Sequence, residues 1–279
     1  MVRRQARIPP QPVLLKKPCR AVAPRPPPPW RNPMFADWTY ALQDWPTYLG
    51  AAWLTLKLSL AAFVLACALG LLGALARRSR HALVRAPAAV YVEVIRNTPV
   101  LLQMFVAYFA LPSAGLRLSP VQAGIAALGV NVGAYLTEIF RAGIQAVPSG
   151  QREASRVLAL SPFRTFLHVV LPQALRNVYP AVINQLVQII LGSSLLSAIS
   201  VPELTGTAMV INSRNLLTIQ VFGIAAVLYL VLTNVVVLVA ELIGRAAFKP
   251  PLRPIRPHQS VLAGLRTAAR RLVLIRKEA

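Results

Sequence analysis

The feature that most restricts this chain is a series of apolar windows, each about 20 residues long, that lack a charge or hold one near an end. The stretch at 219–243 carries Glu241 as its one charge. As a helix, a window of that kind covers a hydrocarbon core of about 30 Å. Apolar runs lie at about 48–76, 87–111, 120–140, 175–197 and 219–243, the second of which holds two charges, Glu93 and Arg96. The expected fold is an all-α integral membrane protein with about five transmembrane helices. Composition agrees, since 56% of the 279 residues are hydrophobic and 14% are charged.

Polar residues inside these windows are costly against lipid, so each needs a reason. In the first window, Tyr48 and Trp53 suit an interfacial aromatic belt, and Lys57 is near enough to its start to snorkel. In the second, Glu93 and Arg96 are three apart and are expected to pair, while Pro99 is expected to kink the helix. The third holds Gly124, Gly129 and Gly133, which permit close helix approach. Its Asn131 and Tyr135 share a face suited to a polar passage, and Glu138 and Arg141 are expected to fasten its inner end to the following loop. In the fourth, Asn184 and Gln188 share a face that should meet a partner helix or water. An outer connection with Glu203 and Arg214 precedes the fifth.

The formal charge of +22 is unevenly placed: eight of the 30 basic residues precede Asn32 and nine lie from Arg245 onward. Most others flank apolar windows, including Arg77, Arg78, Arg80 and Arg85, which mark an inner side. Topology and anionic lipid account for such charges. Nucleic acid is not implied, because apart from Trp30 and Phe248 the basic tails lack aromatics for base stacking. Cys19 and Cys67 suggest no disulfide, and His81, His168 and His258 are too scattered for a metal site. Five crossings give an outer amino terminus and a cytoplasmic carboxyl terminus. The divisions expected are a basic, Pro-rich disordered extension at 1–33, a membrane domain at 34–248 and a basic cytoplasmic tail at 249–279, helical and amphipathic over 255–279. The abrupt change of composition at Met34, and the cost of exporting eight positive charges, place the start of the mature chain there.

The longest polar interval runs from 148 to 172, where Arg152, Arg156, Arg164 and His168 face one carboxylate, Glu153. A short helix is expected at 151–160, opened by Ser149. Ala154, Val157, Leu158 and Leu160 would occupy one side and Arg152, Glu153 and Arg156 largely the other. Ser161 and Pro162 would open a second short helix, stopped by Leu171-Pro172.

Glu153-Ala154-Ser155, then Ala159, then Leu171-Pro172, resemble the cytoplasmic EAA loop of permease subunits in binding-protein-dependent ABC importers. GAYLTEIFRAGIQAVPSGQREASRVLALS and LPQALRNVYPAVINQ are similar to the polar amino acid branch of that family, and the resemblance spans about 38–248. It implies an inner-membrane permease for a polar or charged amino acid. Coupling to the ATPase would rest on Gln151, Arg152, Glu153, Ala154, Ser155, Arg156, Ala159, Leu160 and Pro172. It further implies a second permease copy or paralogue, a dimer of P-loop ATPases that use ATP and Mg, and an external solute-binding protein. No residue of this chain is assigned to catalysis. The branch usually has Gly at the position of Ala159, and a Lys-Asp pair at those of Leu191 and Gly192.

With no Gly-Lys pair anywhere, the chain cannot form the P-loop phosphate cradle itself. An intramembrane enzyme built on Ser193 would need a base, and His168 lies about 30 Å away by helix rise. An ion-coupled carrier would show inverted repeats, which the sequence lacks, and would leave 148–172 without a role.

Overall fold

The computed structural model describes residues 38–248, and all regular structure among them is helical. The extension at 1–33, the start at Met34 and the tail helix at 255–279 lie outside the described residues. A short helix α1 (Trp38–Gln43) leads into α2 (Trp45–Arg77), whose Pro46 occupies the first turn, where a backbone donor is not needed. Lys57 lies over the exposed Trp53 ring, 5.8 Å from its centroid.

The second window is broken. Helices α3 (Ala82–Arg96) and α4 (Val100–Phe105) meet at 107°, and α4 continues through a π turn at Val106–Ala110 and a 3-10 turn at Leu111–Ala114. The expected single kinked helix fails because Thr98 precedes Pro99, which disfavours a helical backbone there, and Pro99 itself is extended. Carbonyls freed at the end of α3 are met by side chains. Asn97 Nδ2 donates to Glu93 O at 2.7 Å, Thr98 Oγ1 to Val94 O at 3.0 Å and Gln103 Nε2 to Ile95 O at 2.9 Å. Glu93 and Arg96 therefore do not pair. Glu93 Oε1 accepts from Asn97 at 3.0 Å, while the Arg96 guanidinium stacks on the Tyr135 ring, 5.0 Å from its centroid.

Helix α5 (Pro120–Gln145) opens with a reciprocal cap between Ser119 and Gln122. It packs along α2, where Gly129 admits Leu65 and Gly133 admits Leu69, and Gly124 receives Leu196 from a later segment. Leu58, Ala62 and Ala66 of α2 and Ala127, Val132 and Leu136 of α5 form the centre of the core.

Helix α6 (Ser149–Val157) is separate, but α7 (Pro162–Thr165) runs through a π turn at Phe166–Val170 into α8 (Leu171–Gly192) and a 3-10 turn at Ser193–Ile199. Leu171-Pro172 does not stop the helix. In the widened turn the Leu171 N–H donates to Phe166 O, Pro172 takes an opening position of α8, and Gln173 Nε2 supplies Val169 O at 2.8 Å. The fourth spanning element is thus Pro162–Ile199, 38 residues long.

The outer connection contains a helix, α9 (Leu204–Asn215), before α10 (Thr218–Ala247). Glu203 is wholly buried and caps α9: Oε1 accepts from Gly206 N at 2.7 Å, and Oε2 from Thr205 N at 3.0 Å and Tyr229 Oη at 2.6 Å. Thr55 Oγ1 accepts from Leu204 N at 3.0 Å, holding this cap against α2. Tyr179 Oη donates to Ala240 O at 2.6 Å and joins α8 to α10. Among the described residues, α2, α5, Pro162–Ile199 and α10 are each long and apolar enough to cross a membrane, and the bent pair Ala82–Arg96 and Val100–Ala114 brings the number to five when counted as one broken span.

Candidate functional site

Two places gather the residues singled out in the sequence. The first is α6. Arg152 Nη2 donates to Ile144 O at 2.8 Å, satisfying a carbonyl in the last turn of α5, and buried Ser155 donates to Gln151 O at 2.7 Å. These contacts fix which way the helix faces. Arg152 and Ser155 lie inward, while Gln151, Glu153, Ala154 and Arg156 are exposed. Val157 at 86% exposure and Leu158 at 72% also point outward, so the expected separation of an apolar side from a side holding Arg152, Glu153 and Arg156 does not set burial here. Phe163, on α7, is 71% exposed beside them in sequence, whereas Leu160 is half-buried. The nine-residue helix ends before Leu158, so helical periodicity does not carry over to 158–160.

Its end explains the position where the family usually has Gly. Ala159 has φ +54°, its N–H donates to Arg156 O at 2.9 Å, and Leu160 N–H donates to Ser155 O at 3.0 Å. This is the paired closure of a Schellman turn, with a Cβ in the left-handed region. The strain is worth about 1 kcal/mol. Ala159→Gly is accordingly expected to slow amide exchange across 155–160 about fivefold, measured by mass spectrometry on the purified chain. Unchanged or faster exchange would refute the strain.

The second place is a hollow of about 380 Å³ between α4, α5 and α8. It is lined by Asn131, Tyr135, Gln185 and Gln188, with Val100, Leu128, Val132 and Gly192. Asn131, Tyr135 and Gln188 were expected to share a passage, and they meet here. Asn184 does not: it is exposed and outside the hollow. Gln185 takes its place, a residue the sequence reading passed over although Gln185, Gln188 and Gly192 have i, i+3, i+7 spacing. Asn131 Nδ2 donates to Gln103 Oε1 at 3.2 Å, and Tyr135 Oη to Arg96 O at 3.4 Å. The lining carries no charged side chain. Gly192 contributes to it, whereas Leu191 is exposed and outside.

Arg141 Nε at 2.9 Å and Nη2 at 2.6 Å both donate to Glu138 Oε2. Arg77 Nε lies 3.4 Å from Glu138 Oε1, so the carboxylate fastens α5 to the end of α2 and not to the following loop. Pro172 lies on α8 just beyond the π turn, distant in sequence from α6. Ser193 Oγ donates to Ile190 O at 2.7 Å within its own segment, and His168 Nδ1 lies 3.2 Å from Arg164 O. Neither is poised toward the other.

Comparison with known proteins places this geometry in a family. Residues 67–247 match the family described as "Binding-protein-dependent transport system inner membrane component". A probable amino-acid ABC transporter permease protein of Sinorhizobium fredii is 39% identical over 196 residues, covering 70% of this chain and 85% of that protein. The L-cystine transport system permease protein of Bacillus subtilis is 38% identical over 202 residues, 72% of this chain and 86% of its own. A crystal structure of an amino acid ABC transporter with histidines superposes with a TM-score of 0.72 at 33% identity, covering 76% of this chain and 99% of that one. The chain belongs to the family of inner membrane components of binding-protein-dependent transport systems and is a multi-pass permease subunit of that kind.

Proposed function

We propose that this permease carries a polar or charged amino acid across the inner membrane, driven by ATP hydrolysis on separate P-loop subunits that dock on α6. The observation that carries the reading is a helix stapled from within by Arg152 to α5 while Glu153, Val157 and, at its end, Leu158 stand exposed, with Phe163 of the next helix exposed as well. A short amphipathic helix so held passes rigid-body motion into the spanning helix behind it. Exposed apolar side chains there give a partner groove something to bury, and Glu153 fixes register. The partner uses ATP and Mg, and an external solute receptor delivers the substrate. The amino terminus then lies outside, with α6 and the carboxyl terminus in the cytoplasm. A second permease copy or paralogue completes the passage. The named transport roles of the relatives support an amino acid as cargo.

Copurification tests the docking. Co-expressed P-loop ATPase should be retained by the wild-type chain and lost with Leu158→Asp, together with ATP-driven amino acid uptake in proteoliposomes. Retention and uptake unchanged in that variant would end the assignment of α6.

The uncharged hollow suits the cargo. Amides at Asn131, Gln185 and Gln188 offer donors to a carboxylate and acceptors to an ammonium, with no fixed charge to exclude either. In a chain whose Cys19 and Cys67 have been replaced, cysteines at 131, 185 and 188 are expected to react with small hydrophilic thiol reagents and to be protected by substrate. Complete protection at all three in every nucleotide state would make them packing residues.

A further inference from the structure

Beneath α6 lies a half-enclosed pocket of about 230 Å³, lined by Arg78, Arg152, Arg156 and Thr165 over an apolar floor that includes Ile144 and Phe166. No carboxylate lines it. Ion pairs among the described residues engage Arg77, Arg141 and Arg245, and none involves the three arginines here. The contrast with Arg77 is informative. One residue earlier in the chain, Arg77 is neutralised by Glu138, whereas Arg78 turns to a pocket holding only positive charge. Arg152 gives one nitrogen to Ile144 O, which fixes the guanidinium and leaves its other donors for a ligand. Arg78 follows the end of α2, Ile144 is in the last turn of α5, and Phe166 stands in the early turns of Pro162–Ile199. Three membrane-crossing helices thus reach the pocket at their ends.

We propose that this pocket is a phosphate site and that its occupant is the head group of an anionic phospholipid. Convergent arginines match phosphate oxygens, and the apolar floor receives the glycerol and upper acyl carbons. A bound head group bridges Arg78 at the end of α2 to Arg152 and Arg156 on α6, so lipid composition sets how firmly that helix is held. The site belongs to this chain alone. Its failure leaves docking of an ATPase standing, and the reverse also holds.

The test uses the full chain in nanodiscs of phosphatidylcholine with and without phosphatidylglycerol, and in detergent with inorganic phosphate. Retained phosphatidylglycerol is counted by native mass spectrometry, and amide exchange is followed across 149–165. Phosphatidylglycerol is expected to remain bound and to slow exchange, with affinity falling about fivefold in Arg78→Gln and about fivefold again when Arg156→Gln is added. Arg78→Gln alone reads the site without altering α6, since Arg78 is exposed and lies outside that helix. Protection by phosphatidylglycerol that inorganic phosphate does not displace identifies a lipid head group. Protection by inorganic phosphate alone keeps the phosphate site and overturns the lipid as its occupant. Equal binding by wild type and the double variant, or no effect of either probe, overturns the proposal. Protection that appears only with ATPase subunits overturns it in favour of a protein carboxylate.

Discussion

Glu153→Lys is expected to abolish ATP-driven uptake in proteoliposomes while leaving insertion and yield unchanged. Glu153 is exposed and makes no ion pair among the described residues, so its replacement removes no internal contact. The helix carrying it stays anchored by Arg152 and Ser155. What changes is the outer face, whose carboxylate becomes an ammonium beside Arg156. Reversing one member of a desolvated charge pair at an interface costs about 2 to 5 kcal/mol, or roughly thirtyfold to several thousandfold in binding. ATPase stimulation should disappear with uptake. Wild-type uptake with Lys at this position would remove Glu153 from the coupling surface, and loss of yield would instead show a role in folding.

The second large effect is expected at Glu203. Its carboxylate is completely buried and receives hydrogen bonds from Thr205 N, Gly206 N and the Tyr229 hydroxyl. Glu203→Ala leaves the partly buried Thr205 N and Gly206 N without their acceptor and leaves the Tyr229 hydroxyl with Thr205 Oγ1 at 3.0 Å, at about 1 to 3 kcal/mol for each group that finds no water. It also uncaps α9, which Thr55 holds against α2 through Leu204 N. The thermal midpoint of the purified chain should fall sharply, and Glu203→Gln, which keeps the shape and one acceptor oxygen, should recover part of the loss. Equal midpoints for wild type and Glu203→Ala would contradict a structural role for the carboxylate.

Much of this architecture is legible because lipid permits few solutions for backbone polar groups. Window length alone locates α2, α5 and α10. The polar residues are harder to place, since their partners are chosen by tertiary contacts that spacing does not encode. Glu93 and Arg96 have the spacing of a pair, yet the break after Arg96 offers Asn97 to one and the Tyr135 ring to the other. Asn184 and Gln185 are neighbours on one helix, and only the position of α5 decides which faces the hollow. Val157 and Leu158 read as one apolar side of a helix, and only the inward turn of Arg152 leaves them facing out. Leu171-Pro172 reads as a stop because a π turn leaves no plain mark in the sequence.

Gln103 is occupied in two directions. Its amide nitrogen holds the open end of α3 at Ile95 O, and its amide oxygen holds Asn131 in the hollow. One rigid planar group therefore connects the angle of the broken span with the wetting of the cavity wall. If α4 swings relative to α3, the amide cannot keep both partners. Either a backbone carbonyl of the break becomes available to water, or Asn131 is released to whatever occupies the hollow. The same swivel that would open a path thus also supplies a hydrogen-bonding group to line it, and an arriving solute that takes Asn131 from Gln103 loosens the latch in turn.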